Sequence, residues 1–378
     1  MLIKKKSLTL KVERFCTMFL FLQKIAAILY GFAIRVRNMI YDTNIIEGVK
    51  FNIPVICIGN ITAGGTGKTP MVEFVTSHFM NTRSVAIISR GYGRTTSGYR
   101  VVTPFDNASD VGDEPLQIKC KFPDIPVVVC ERRVEGIERL LKEFPNVDMV
   151  IMDDGFQHRR VKPYLNIVMI DYTRPVDKDH YIPYGQLRDS LDSLERAHIF
   201  VFTKCPKSFL QLQQNLLIAS LNKKPSQAAF FTRPQYLDTR AVVGNSPVAL
   251  PVRSNVIALA GIGNNEVFFS GLAERYNVVE SIGLDDHHKY SANDIQQLTN
   301  ALEKHPDAFI ITTEKDAVKL CNIADMPIHL SSRMFYETVG MEFASNPSTT
   351  SQQMEKTFRQ LLDNEIKKFN DGAYIRGC

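Results

Sequence analysis

Ile58-Gly59-Asn60-Ile61-Thr62-Ala63-Gly64-Gly65-Thr66-Gly67-Lys68-Thr69-Pro70 is a glycine-rich turn between an apolar run, Val55–Gly59, and a helical stretch that opens at Lys68. Strand, turn and helix in that order are the setting of a phosphate-binding loop. Glycines let backbone N–H groups converge on phosphate oxygens, and the helix N-terminus adds partial positive charge. Residues Thr62, Ala63, Gly64, Gly65, Thr66, Gly67, Lys68 and Thr69 are therefore the expected nucleotide cradle. Lys68 would reach the β- and γ-phosphates, and the Thr69 hydroxyl would ligate Mg²⁺. The pattern G-x-x-x-x-G-K-[ST] asks for glycine at position 62, where this chain has threonine; Gly64 and Gly65 supply flexibility instead. An ordinary glycine-rich turn explains the loop less well, because it does not require Gly-Lys-Thr at the helix start.

A second apolar run, Val150-Ile151-Met152, ends in Asp153-Asp154-Gly155. An acid at the C-terminal end of a strand is how such folds offer a carboxylate to Mg²⁺. Alone it would read as an Asp-Gly turn; beside the phosphate loop, Asp153 and Asp154 are candidate metal ligands. More polar clusters sit at expected loop positions: Ser89-Arg90-Gly91-Tyr92-Gly93-Arg94, Gly112-Asp113-Glu114-Pro115, Arg132-Arg133, Phe156-Gln157-His158-Arg159-Arg160, Tyr184-Gly185-Gln186-Leu187-Arg188-Asp189, Asp286-His287-His288 and Thr313-Glu314-Lys315-Asp316. Each alone reads as a turn or a solvated charge run. Together they bring Arg, Asp and His to strand ends, where a doubly wound fold builds its site.

Short β-branched runs alternate with helical stretches after Gly48, the rhythm of a mostly parallel sheet. Strands are expected at Val55–Gly59, Val85–Ser89, Val127–Cys130, Met149–Met152, Ile167–Asp171 and Ile199–Thr203, with helices at Lys68–Met80, Arg133–Phe144 and Ser208–Leu221. A second α/β series begins at Val256. The expected fold is α/β: a P-loop NTPase-like, mostly parallel sheet with helices on both faces, a second smaller α/β domain and an N-terminal amphipathic membrane-associated helix. The expected boundaries are 1–47 for that helix, 48–222 for the phosphate-loop domain, 223–254 for a connector, 255–345 for the second domain and 346–378 for a C-terminal helix.

The 378 residues are 44% hydrophobic and 22% charged, ordinary globular proportions. A net charge of +5 does not argue for nucleic acid. The seven cysteines form no C-x-x-C pair, which suits a reducing compartment and excludes a disulfide or zinc framework; Cys57 and Cys130 lie in apolar runs and read as core.

Lys4, Lys5 and Lys6 precede a mainly apolar stretch, Phe15–Ile40, which Gln23 and Lys24 split into two runs. Neither run approaches the roughly 18–20 apolar residues of a transmembrane helix. At about 100° per residue, Thr17, Lys24, Gly31, Arg35 and Asn38 share a stripe and apolar residues cover the rest. This predicts a helix in the bilayer interface, with Lys and Arg at headgroup level. A signal peptide, a tilted spanning helix and a core helix are the competing readings. Arg35 and Arg37 suit a cytoplasmic face.

The motifs GNITAGGTGKTP, SRGYGR, DVGDEP, DDGFQH, P-x-G-x-L-R, AGIG with Phe268-Phe269, DHH and TEKDAVKL run in one order from Asn60 to Leu320. In this the chain resembles the tetraacyldisaccharide 4′-kinase family, the lipid A 4′-kinases of Gram-negative bacteria. The resemblance implies transfer of the ATP γ-phosphate, with Mg²⁺, to the 4′-hydroxyl of a tetraacylated disaccharide 1-phosphate at the inner membrane's cytoplasmic face, by two α/β domains around a cleft. It implies a catalytic pair, Asp113 and His287, assisted by Lys68. It also implies substrate-facing positions at Arg90, Tyr92 and Arg188, with Gln157 and His158 of the DDGFQH loop. Asp189 stands where the family usually has Glu, and Gly283-Leu284-Asp285 replaces the usual aromatic lead-in to DHH. Neither nucleic acid nor a protein partner is implied.

A different class also fits the loop and the N-terminus: a membrane-docked P-loop ATPase switch that acts on a protein partner. Thr203-Lys204-Cys205-Pro206 lacks the Asp of a guanine-reading N/T-K-x-D motif. A non-catalytic lipid-binding module leaves the phosphate loop unexplained.

Overall fold

The structure is a computed structural model that describes residues 2–221, 223–323, 326–345 and 349–372, with side chains from Met18 onward. The side chains of Lys4, Lys5, Lys6, Cys16 and Thr17, and all of Cys378, lie outside the described part. The strands are β1 Val55–Gly59, β2 Val85–Ser89, β3 Arg100–Val101, β4 Val127–Val129, β5 Met149–Asp153, β6 Leu165–Asp171, β7 Ile199–Thr203, β8 Ala228–Ala241, β9 Asn255–Ala260, β10 Asn277–Gly283, β11 Phe309–Thr313 and β12 Met334–Phe343. The α-helices are α1 Leu2–Asp42, α2 Lys68–Phe79, α3 Ala108–Val111, α4 Asp113–Lys121, α5 Arg133–Glu143, α6 Gln211–Ser220, α7 Asn265–Ala273, α8 Ala292–Lys304, α9 Glu314–Leu320, α10 Ile328–Ser331 and α11 Ser351–Asn370.

The chain groups into two compact units, each drawn from separated segments. The first comprises residues 1–68, 154–233 and 343–378; the second comprises 69–153 and 234–342. In the first unit β1, β6, β7 and the start of β8 pair in parallel, with Ile58 opposite Ile167 and Val168 opposite Phe200. Strands β1, β6 and β7 are buried along their whole length, as continuous apolar runs in a sheet covered on both faces require. Phe230, Phe343 and Phe358 pack edge to face or tilted, closing a core under α11.

The second unit carries two runs of neighbouring strands. In one, β5, β2 and β4 are parallel and β3 adds an antiparallel edge. In the other, the order is β10, β9, β11, β12, all parallel. Leu298, Leu302 and Leu320 fill one face of that second run, and Phe268 and Leu272 fill the other.

The expected strands and helices are present with ends shifted by a few residues. β12, α3 and α4 were not expected as elements. Gly112-Asp113-Glu114-Pro115 reads as a turn, but Pro115 occupies the first turn of α4, where a missing N–H costs nothing. The region expected as a connector contains the long strand β8.

Helix α1 is continuous, and its segment Met18–Asp42 is long and apolar enough to cross a membrane. The expectation from the two short runs was otherwise. Lys24 interrupts the sequence but not the helix, and its ammonium lies 5.1 Å from the centroid of the Tyr184 ring. Ala27, Gly31, Ile34 and Asn38 form the face that packs on the rest of the first unit. A Cβ on Gly31 would sit 2.5 Å from the Tyr181 ring. Of the stripe expected at headgroup level, Gly31 and Asn38 are turned toward the protein, because a small and a hydrogen-bonding residue allow close approach, while Lys24 and Arg35 are exposed. Phe19, Leu22, Ile28, Leu29 and Phe32 remain exposed on the opposite side.

Asp189 anchors this packing. It is fully buried, accepts from Asn38 Nδ2 at 2.8 Å, and lies 3.4 Å from an Arg37 nitrogen and 3.2 Å from an Arg196 nitrogen. Asp189→Ala should strand two guanidinium groups and cost about 3 kcal/mol, the lower end for breaking a buried pair because Arg37 is partly exposed. Urea denaturation followed by circular dichroism checks this.

Candidate active site

In the first unit the phosphate loop leaves the buried end of β1 and runs into Lys68. Asn60 donates from Nδ2 to Thr66 Oγ1 at 2.7 Å, and Thr203 Oγ1 donates to the Thr66 carbonyl at 3.1 Å. The loop is thereby cross-braced from inside. Gly64 and Gly67 take left-handed backbone angles, φ 89° and 80°, and Gly64 and Gly65 are exposed. Thr62 is buried and forms an antiparallel bridge with Leu187, while the Ala63 N–H donates to the Gln186 carbonyl at 2.7 Å. Position 62 continues an extended pairing, so it does not need glycine.

Charge surrounds this loop. Lys68 Nζ lies 3.7 Å from Asp154 Oδ1, and Arg188 grips the same carboxylate through both terminal nitrogens, one of them at 3.0 Å. Arg188 also donates to Asn60 Oδ1. Asp171, buried at the end of β6, accepts from Lys204 Nζ at 2.7 Å and from Arg174 Nε at 3.1 Å. Burial opposes the charge on Asp171, but the Lys204 and Thr173 hydrogen bonds outweigh it and hold the carboxyl below its usual range. The Arg174 guanidinium meets the Ala63 carbonyl at 3.4 Å. Gln157 Nε2 donates to the Asn60 carbonyl at 2.8 Å, so this predicted substrate residue is tied to the loop. His158 is half-buried beside it in the chain.

The second unit holds Asp113 and His287 as a hydrogen-bonded pair. Asp113 is the first residue of α4, where the helix N-terminus favours a carboxylate. It follows Gly112 at φ 96°; a Cβ there would meet the Gly91 Cα at 3.0 Å. The SRGYGR and DVGDEP loops thus touch backbone to backbone. His287 also has a left-handed backbone, φ 60°. Its Nδ1 lies 3.0 Å from Asp113 Oδ2. The neighbouring His288 does a different job, meeting Asp294 in the first turn of α8 at 3.2 Å.

Two lysines from α9 complete the cluster. Lys319 Nζ is 3.2 Å from Asp113 Oδ2, and Lys315 Nζ is 3.3 Å from His287 Nε2, 2.9 Å from Asp286 and 3.5 Å from Glu114. Both lysines belong to the motif TEKDAVKL, and their i, i+4 spacing places them on one helix face, the signal in the sequence that pairs them. Burial works against ionisation of Asp113, yet the His287 hydrogen bond and the two lysines win and keep its carboxyl below the ordinary range. The same hydrogen bond raises His287 above its ordinary value, against burial and Lys315.

Tyr92 is exposed and its ring lies 5.5 Å from that of His287. Arg90 is exposed on the same loop. Arg94, by contrast, is spent on Glu131. Asp153 is buried at the end of β5 and accepts from Ser89 Oγ at 2.9 Å. Among the described residues no group of three His, Cys, Asp or Glu side chains could hold a metal by itself.

A glycine-rich loop between a buried parallel strand and a helix opened by Lys68-Thr69 marks a P-loop protein. The profile of the family described as "Tetraacyldisaccharide-1-P 4'-kinase", LpxK, matches residues 19–359. The chain belongs to that family. It is 34% identical to the tetraacyldisaccharide 4'-kinase of Bacteroides thetaiotaomicron, over 84% of this chain and 87% of that protein. It is 37% identical to the enzyme of the same name from Flavobacterium psychrophilum, over 90% and 95%. Its fold is similar to the crystal structure of LpxK from Aquifex aeolicus in complex with ATP: TM-score 0.69 and 25% identity, over 90% of this chain and 97% of that one.

Replacing Asp113 by Asn removes the largest influence raising His287 and leaves Glu114 and Asp286 to raise it against burial and Lys315. The His287 pKa should therefore be lower in Asp113→Asn than in the native protein, as read by NMR titration of the imidazole.

Proposed function

We propose that this protein transfers the γ-phosphate of ATP to the 4′-hydroxyl of a tetraacyldisaccharide 1-phosphate. The observation that carries the reading is the Asp113–His287 pair backed by Lys319 and Lys315. A sugar hydroxyl is a poor nucleophile and needs a positioned proton acceptor. An ATPase switch, whose acceptor is water, has no need of one beside an exposed aromatic such as Tyr92, so the kinase reading is favoured.

The hydroxyl oxygen forms a bond to the γ-phosphorus as the bridge from that phosphorus to the β-phosphate oxygen breaks, and the bonding electrons leave with ADP. The hydroxyl proton passes to the Asp113–His287 pair. With His287 neutral, Nδ1–H donates to Asp113, and the pair accepts the proton as one unit. Lys68, Arg188 and the loop N–H groups offset charge on the phosphates. Tyr92 and Arg90 face the acceptor, with Gln157 and His158 beside the loop.

Mg²⁺ would neutralise charge on the β- and γ-oxygens. The candidate donors, Thr69, Asp153 and Asp154, are all oxygen and suit a hard cation that takes one or two carboxylates plus phosphate. Asp154 bridges Lys68 and Arg188, and Asp153 accepts from Ser89.

The exposed apolar side of α1 supports docking on the cytoplasmic surface of the inner membrane. An interface helix buries such a face in the acyl boundary while its other side stays on protein.

Lys68→Ala should abolish transfer of labelled phosphate from ATP to the lipid disaccharide. Asp113→Ala and His287→Ala should each lower kcat by about 10²–10⁴-fold. The double variant should lose little more than the worse single one, because the two act as a unit. Additive losses in log rate would show two independent residues and remove the pair from the mechanism. In a separate measurement, replacing Ile28, Leu29 and Phe32 by Ser should release the protein from phospholipid vesicles in a flotation assay, while the folded content read by circular dichroism stays unchanged.

A further inference from the structure

Behind the acid–base pair lies a buried ionic cluster that the reaction does not use. Lys121, the last residue of α4, places Nζ 2.5 Å from Glu73 Oε2 of α2 and 3.4 Å from Glu314 Oε1 of α9. Gln117, one turn earlier on α4, donates to the other Glu73 oxygen at 3.0 Å. Glu73, Gln117 and Glu314 are buried. Two buried carboxylates share one cation, an arrangement that stabilises poorly compared with apolar packing. What such a cluster does supply is register, since it is satisfied in only one alignment of its helices.

The alignment matters because α4 and α9 run antiparallel and are fastened at both ends. At the α4 N-terminus, Asp113 and Glu114 meet Lys319 and Lys315 of α9. At its C-terminus, Lys121 meets Glu314, the first residue of α9. The reacting carboxylate and the cations that control it therefore sit at one end of a helix pair whose other end is set by Lys121. Glu73 lies on α2, the helix that Lys68 and Thr69 open.

We propose that Lys121 is a positioning residue for proton transfer: by clamping Glu73 and Glu314 it holds α4 on α9 in the register that brings Lys319 to Asp113 and Lys315 to Glu114. This rests on the reading of Asp113 and His287 as the proton acceptor.

Burial, then repulsion from Glu314, pushes the Glu73 carboxyl up to about 7, against Lys121 and Gln117. Burial raises Glu314 as well, against Lys121 and Arg240. Cys120 and Tyr336 also feel the Glu314 charge. Removing the shared cation takes away an attraction that favours both carboxylates in their charged form, so both would take up protons more readily and the clamp would open.

The experiment measures kcat, the ATP KM and the pH profile of kcat for the full chain with lipid disaccharide acceptor, in the native protein, Lys121→Met and Lys121→Arg. Loosening the register withdraws Lys319 on α9 from Asp113 on α4. Lys319 lowers the Asp113 carboxyl, and with it the proton affinity of the pair, so the acid-side inflection of kcat should move to higher pH, by about half a unit. In Lys121→Met, kcat should fall about tenfold while the ATP KM stays within about twofold, the signature of lost positioning and not of lost ATP binding. Lys121→Arg keeps the cation and should restore most of the rate and the native inflection. A rate loss with an unmoved inflection, or no loss at all, overturns the proposal and leaves Lys121 a structural residue. Should Lys121→Met fail to fold, the isosteric Glu314→Gln weakens the same clamp and must show the same upward shift; an unshifted profile overturns the proposal. Asp113→Ala is run in parallel: wild-type turnover there would overturn the acid–base reading itself, whereas an inactive Asp113→Ala with a native-like Lys121→Met removes only the positioning role.

Discussion

A carboxylate taken out of water must find a cation or several donors, and in this protein that requirement organises both units. Asp189 is buried against Arg37 and Arg196 and fixes α1. Asp171 holds Lys204 and Arg174 beside the phosphate loop. Asp154 joins Lys68 to Arg188. Asp113 binds His287 and Lys319. Asp171 and Asp154 stand at or just beyond the end of a strand and Asp113 opens a helix, and Arg37, Arg188, Lys319 and His287 reach these acids from distant parts of the chain. The cost of desolvating the acid is met only when those distant elements have docked, so the fold and the site form together.

The phosphate loop and the Asp113–His287 pair differ in their electrostatics. Lys68, Arg188, Arg174 and Lys204 gather around the loop, each beside an acid. Asp113 is held below its ordinary range in a buried setting by His287 and two lysines, while His287 is raised.

Helix α1 shows how one sequence pattern can serve two surfaces. Gly31 and Asn38 meet the protein, Lys24 and Arg35 stay exposed beside them, and Phe19, Ile28, Leu29 and Phe32 form an exposed apolar arc on the other side.

Most of the fold was legible in the chain itself, because strand and helix periodicity are local. β1, β2 and β7 appear where their β-branched runs begin and end, and the loop from Thr62 to Thr69 follows from Gly-Lys-Thr after a strand. The choice of His287 over His288 came from resemblance alone, and the hydrogen bond to Asp113 now gives it a geometry. Other features were not legible. α4 was hidden because Gly112 and Pro115 signal a turn unless Gly112 is held against Gly91 by packing. The roles of Lys315, Lys319 and Lys121 depend on how α4 and α9 pair, and Asn60 became a brace only when Thr66 folded back over it. Sequence by itself determined the parallel α/β character, the phosphate loop and the apolar N-terminus, since these rest on neighbours in the chain. Tertiary structure alone decided which charges meet, because pairs such as Arg37–Asp189, Asp113–His287 and Lys121–Glu314 join residues more than a hundred positions apart and their energy depends on burial that no local pattern records.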